Sequence, residues 1–157
     1  MNATQPSRRR DPAELAVRLG LVAMLAVDAV VHYRLAGAMD VAAPGGVGGG
    51  TLFRLQATAA VVAAIVLLVR GSRLAYAVAG LVALSAFGAV ILYTYVDVPT
   101  LGPVPSMYDP TWYAEKTLSA VAEGLGVVLA AAGLVLTGRA EGTSGHCAET
   151  PQTTRHR

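Results

Sequence analysis

The sequence predicts an all-α protein: an antiparallel bundle of four transmembrane helices with both termini in the cytoplasm. Three observations carry this. Four apolar stretches, Leu19 to Gly37, Leu52 to Val69, Leu74 to Tyr95 and Trp112 to Leu136, hold very few charges. A hydrocarbon core of about 30 Å takes roughly 20 helical residues to cross, and a helix satisfies its own backbone there. The 157 residues are 54% hydrophobic and 14% charged, which leaves too little polar surface to cover a soluble globule. The charges are also partitioned. Nine of the 12 basic residues, Arg8, Arg9, Arg10, Arg18, Arg70, Arg73, Arg139, Arg155 and Arg157, fall on one side of the four spans. Arg34, Arg54 and Lys116 fall on the other, and the positive-inside rule puts the richer side in the cytoplasm. Tyr33, Phe53, Tyr93, Tyr95, Trp112 and Tyr113 form a belt near the outer interface.

Taken in order, residues 1–10 are a basic tail and residues 11–137 the membrane domain, with helices at about 12–37, 51–69, 73–95 and 111–137. Asp11-Pro12-Ala13-Glu14 supplies an N-cap, a proline at the first helical position and an acid two residues later. Arg8 to Arg10, the first apolar run and Ala36-Gly37-Ala38 also resemble a cleavable signal, but Asp28, His32 and Arg34 interrupt that pattern, so a retained span is expected. The connection Asp40 to Gly50 is expected to be flexible for its glycines. Arg70-Gly71-Ser72-Arg73 is a short turn, and Val96 to Thr111, with four prolines, a stiffer cap over the bundle. Asp109-Pro110 is another cap-and-proline helix start. Residues 138–157 are polar and are expected to form a disordered cytoplasmic tail.

Several function classes are excluded. A formal charge of +2, with no nucleic-acid-reading motif, does not point to nucleic acid as a partner. The single cysteine, Cys147, forms no intrachain disulfide and no CxxC pair. The glycine-rich connection lacks the Lys and Ser/Thr of a phosphate-binding loop. No motif indicates a cofactor, and whether a metal binds is left open. Small residues spaced by four, Ala120 with Gly124, Ala122 with Gly126 and Ala130, and Ala79 with Ala83, suit close helix packing. They serve the chain's own helices, while a homodimer or another membrane protein remains open as partner beside the lipid bilayer.

The chemistry lies in polar residues inside the spans. Asp28 and His32, four apart, share a helix face. At 1.5 Å per residue Asp28 sits roughly 16 Å below the outer edge, and Glu123 reaches about the same depth on the last helix. Lys116, Ser119 and Glu123 share a face there, and Gln56 enters from the outer end of the second helix. Asp28, His32, Gln56, Ser119 and Glu123 therefore form a candidate intramembrane cluster, with Arg34, Arg54, Glu115 and Lys116 as outer-rim charges. An acid at mid-bilayer costs about 2.5–3.5 kcal/mol on insertion scales, so each should face the interior and find partners. Three readings stand side by side: structural hydrogen bonds, a proton or ion path, and a metal or redox site. Catalytic residues are not indicated. His32 is the sole intramembrane histidine, which excludes a bis-histidine haem.

Arg18-Leu19-Gly20, the stretch AVDAVVHYRLAG at 26–37, TLFRLQATAAVVAAIVLL at 51–68 and Glu123 in LSAVAEGLGVV resemble the small four-helix bacterial membrane proteins of the DoxX-like group. The resemblance covers residues 15 to 137, and Asp28 departs from it where a small residue is more usual. It implies the four-helix fold, a bacterial inner membrane and partnership with redox or quinone-linked membrane enzymes. The expected function is a non-enzymatic accessory or small-solute- or ion-handling protein; the alternative is a subunit of a quinone-linked redox complex.

Overall fold

A computed structural model describes residues 12–146, with side chains described through residue 138. The described residues fold into α1 (Pro12–Ala42), α2 (Gly49–Arg70), α3 (Arg73–Tyr95) and α4 (Ala114–His146). They contain no strand, only an isolated bridge between Leu101 and Val104. All four helices are long and apolar enough to cross a membrane. The 31 residues of α1 alone measure about 46 Å, longer than a hydrocarbon core.

The helices form a ring. α1 packs on α2 and α4, and α3 packs on α4 and α2, while α1 and α3 barely touch across the middle. The core is narrow and rich in alanine: Ala29, Ala57, Ala60, Ala63, Ala75, Ala79 and Ala130 surround Leu21, Leu25, Leu67 and Tyr76. Small side chains let the backbones approach, and the seams foreseen on α3 and α4 face each other. A Cβ built on Gly126 would lie 3.2 Å from Ala83, and one on Gly80 would lie 2.9 Å from Ala130. Only 28–33% of the most apolar stretch of each helix is buried. Val30, Leu55, Leu81, Leu118 and Val128 point outward, an apolar mantle that water would not tolerate on a monomer and that fits contact with a lipid bilayer.

The helix ends differ from the expected ones in ways the contacts explain. α1 continues to Ala42 and α2 already begins at Gly49. Gly49 and Gly50 are buried against Met39, Ala36 and Asp40, where a side chain would not fit, so these glycines permit helix contact and are not loop. Nor does the α1–α2 connection hang free. Val47 N–H donates to Pro103 O at 2.8 Å, and Gly46, at φ 55°, sits where a Cβ would run into Pro103. α4 starts at Ala114 and not at residue 111. The Asp109 carboxylate accepts from Thr111 N–H at 3.1 Å, closing a local turn, and Lys116 Nζ donates to the carbonyls of Asp109 and Thr111. Those carbonyls are thereby held out of a helical ladder. At its other end α4 runs on through His146, past the boundary at 138 where a disordered tail was expected; the segment is rich in glycine but holds no proline to stop the helix. The basic segment 1–10, Asp11 and residues 147–157 lie outside the described residues.

α3 has the bounds the sequence predicts. Ser72 caps it by accepting from Ala75 N–H, and Gly71, at φ 52°, closes α2 in the left-handed conformation with its N–H on Leu67 O.

Candidate functional site

Asp28, one turn below His32 on α1, is 1% exposed, and Glu123 on α4 is 2% exposed. Each has a polar partner, Asp28 from another helix and Glu123 from its own. Gln56 Nε2 on α2 donates to Asp28 Oδ2 at 2.9 Å and reaches Val82 O on α3 at 3.4 Å. Ser119, one turn from Glu123, donates through Oγ to Glu123 Oε1 at 2.6 Å. All four helices thus meet at one level.

His32 bridges the two acids. Its Nδ1 lies 2.7 Å from Asp28 Oδ1 and 4.0 Å from Glu123 Oε1. The ring N–H direction favours the Asp28 backbone oxygen, at 3.1 Å, over the carboxylate. The ring packs at 46° against Phe53 of α2, with centroids 4.9 Å apart, which fixes its plane. One oxygen of each acid, Asp28 Oδ1 and Glu123 Oε2, is buried and accepts no hydrogen bond. Ligand-capable atoms of Asp28, His32 and Glu123 all lie within 4.8 Å of one another, so this trio is the group among the described residues that could hold a metal ion.

His32, Ser119 and Glu123 of the cluster line one side of a cavity of about 470 Å³. From His32 and Glu123 the cavity extends past Phe53, Val90 and Tyr93 to Ser106, Met107 and Tyr108 of the α3–α4 connection. Lys116 stands in the wall above Ser119, buried, with Nζ 3.5 Å from Asp109 Oδ2 and 5.6 Å from the centre of the Trp112 ring. Burial first, then the charges of Asp109 and Glu115, push the Tyr113 phenol above its ordinary value, so it stays a neutral donor beside the cavity.

The structure brings five of the sequence-predicted residues together: Asp28, His32, Gln56, Ser119 and Glu123. The rim residues separate. Arg54 pairs with Asp40 through Nη2 to Oδ2 at 2.6 Å on the exposed α1–α2 edge. Arg34 and Glu115 are exposed and do not line the cavity, and of the four rim charges only Lys116 does. Sequence reasoning missed the aromatic and methionine wall, Tyr93, Met107 and Tyr108, which loop packing creates. It also missed a second buried polar group. Glu14 and Arg18, one turn apart on α1, form a pair at 2.7 Å, and Tyr76 of α3 donates to Glu14 Oε1 at 2.8 Å. The i, i+4 spacing of Glu14 and Arg18 was the available signal, and Arg18 served only as a topological charge.

No protein-family model, curated protein or solved structure matches this chain. What the site does rests on its own chemistry.

Proposed function

We propose that the chain is a four-span antiparallel membrane protein, with both termini in the cytoplasm of a bacterial inner membrane, that takes a proton or small cation from the outer side into its buried site. One observation carries this reading: a carboxylate and an imidazole deep in the bundle, Glu123 and His32, border a cavity that runs toward the α3–α4 connection, with a second buried carboxylate, Asp28, directly behind His32. Intramembrane acids are expensive, and a purely structural pair would saturate its hydrogen bonds. Here Glu123 Oε2 has no donor, and Asp28 Oδ1 has the His32 ring nitrogen at 2.7 Å off the line of a hydrogen bond. A proton on either carboxyl, or a cation between them, removes the repulsion of like charges and serves those oxygens. Lys116 stands in the cavity wall with its charge taken up by Asp109 and the carbonyls of the α3–α4 connection, which offsets its repulsion of an entering cation.

Kinship to the DoxX-like group belongs to this proposal, supported by the helix-one and helix-two stretches that resemble it and by the four-helix architecture. The quinone-linked redox role has no support of comparable weight, because no residue of the cluster is a redox group and the histidine is single.

The test is a flux measurement on purified protein in sealed vesicles carrying a pH-sensitive dye. An imposed membrane potential should drive a proton or cation flux that Asp28→Asn and Glu123→Gln abolish while helicity is kept. Bound haem, flavin or quinone in the purified protein, with no flux, would overturn the proposal in favour of a redox subunit.

A further inference from the structure

The geometry points to a binding site for a divalent first-row transition cation, such as Zn²⁺ or Mn²⁺, formed by Asp28 Oδ1, Glu123 Oε2 and His32 Nδ1. It deepens, and rests on, the cation-handling reading above.

The two acids are held in the manner of metal-ligating carboxylates. Gln56 holds Oδ2 of Asp28 and Ser119 holds Oε1 of Glu123, each by a hydrogen bond, which leaves Asp28 Oδ1 toward His32 Nδ1 at 2.7 Å and Glu123 Oε2 buried without a partner. Such donors behind a ligand fix its orientation and are the usual outer shell of a metal site. Glu123 Oε2 is the independent sign of a missing ligand: the side chain is nine-tenths or more buried and this oxygen has no hydrogen-bond partner. At ligand bonds of about 2.0–2.2 Å, two atoms on one ion lie no more than ~4.4 Å apart. One ligand atom from each of the three residues already lies within 4.8 Å of the others, so rotation of the Glu123 carboxylate is what remains to close the set. His32 Nδ1, 2.7 Å from Asp28 Oδ1, is already at the centre. In the ion-bound form the ring proton sits on Nε2, so the imidazole stays neutral.

Charge selects the valence. Two carboxylates and one divalent ion sum to zero, whereas a monovalent ion leaves a net negative site in surroundings that penalise it. Ligand type selects the metal. An imidazole with two carboxylates suits first-row ions, while Ca²⁺ wants six to eight oxygens and Mg²⁺ a near-ideal octahedron with several retained waters. Three protein ligands leave a further coordination position, and the cavity of about 470 Å³ lies beside it for water or a small solute.

The test uses the full chain in detergent, without an affinity tag, with the tail donors removed by His146→Ala, Cys147→Ser and His156→Ala. Co²⁺ is titrated as the probe, read by its visible absorption, and displaced with Zn²⁺. Expected is one Co²⁺ per chain with a low-coordinate spectrum, displaced by Zn²⁺ and untouched by Mg²⁺. Asp28→Asn, His32→Gln and Glu123→Gln should each abolish the saturable band. Ser119→Ala, which keeps all three ligands, should weaken binding by about 10–100-fold. Asp40→Asn, at the exposed edge, should leave it unchanged. Helix content and elution volume report folding for every variant. No saturable binding by the folded parent chain overturns the inference, and so does binding indifferent to Asp28→Asn and Glu123→Gln. Absent Co²⁺ binding alongside an Asp28-dependent flux overturns the metal site alone; binding without flux upholds the metal site and overturns the flux reading.

Discussion

Replacing Gln56 by leucine isolates what the second helix contributes to the site. The side chain keeps its bulk but loses the amide that donates to Asp28 Oδ2 at 2.9 Å. Asp28 is 1% exposed, so water does not replace the bond lost at Oδ2, and its other polar neighbour, His32 Nδ1, lies on the Oδ1 side at 2.7 Å. Hydrogen bonds to charged groups in soluble proteins contribute about 1.5–3 kcal/mol. Interhelical bonds measured in a bilayer average ~0.6 kcal/mol and reach ~1.7, because the unfolded helices also find partners. With the acid fully buried the upper bilayer value applies. Gln56→Leu should therefore cost about 1.4 kcal/mol, a tenfold change in the unfolding equilibrium. The contact to Val82 O, at 3.4 Å, is too long to add much. The assay is denaturant unfolding of the micelle-bound protein, followed by Trp112, the only tryptophan, whose ring lies near Lys116 where α4 begins. Asp28→Ala closes the cycle: the double variant should be more stable than the sum of the single losses by about 1 kcal/mol or more. Strict additivity, or a Gln56→Leu protein as stable as its parent, would refute the idea that Gln56 holds Asp28.

Two further outcomes concern the connections and the topology. Gly46→Ala should free Val47 and speed its amide exchange, through a backbone strain of about 1–3 kcal/mol added to the collision with Pro103. Gly102→Ala, at φ 57° with open space beside it, should show the strain alone and leave Val47 protected. Reporter fusions after Gly71 and at the C-terminus should report the cytoplasm, and fusions within 45–50 or 99–105 the outside. A C-terminus found outside would refute the proposed topology.

The spans were legible because the bilayer imposes a length and a composition on any chain that crosses it, and α3 shows this most cleanly. Its start is written in Arg70-Gly71-Ser72-Arg73, where a left-handed glycine and a capping serine leave little freedom. The start of α4 was not legible. Asp109-Pro110 carries the cap-and-proline signal, yet Asp109 spends its carboxylate on Thr111 and Lys116 takes the carbonyls that a helix would need. Asp28 and His32 were readable from their spacing, and Glu123 from its depth, because helical rise converts residue number into height. Which way each helix is turned about its axis was harder. These helices are apolar almost all round, so the direction of Gln56, the backbone oxygen of Val82 and the Tyr76 hydroxyl follows from packing rather than from pattern. The cavity wall at Met107 and Tyr108 depends on how a proline-rich connection folds back, which no periodicity encodes.

The closure of the ring between α1 and α4 also has a bearing on how the protein is made. The first helix leaves the ribosome carrying an acid and an imidazole that belong to a site whose other acid lies near the end of the chain. Until the last helix is synthesised, the side chain from another helix that serves Asp28 among the described residues is Gln56, one helix later. Biogenesis therefore favours insertion of the first two helices as a hairpin, with the amide sheltering the carboxyl, and the site becomes whole only at the final step of assembly. A nascent chain cut short before α4 would carry Asp28 and His32 without Glu123, and quality control in the membrane would meet a half-built site rather than an inert pair of helices.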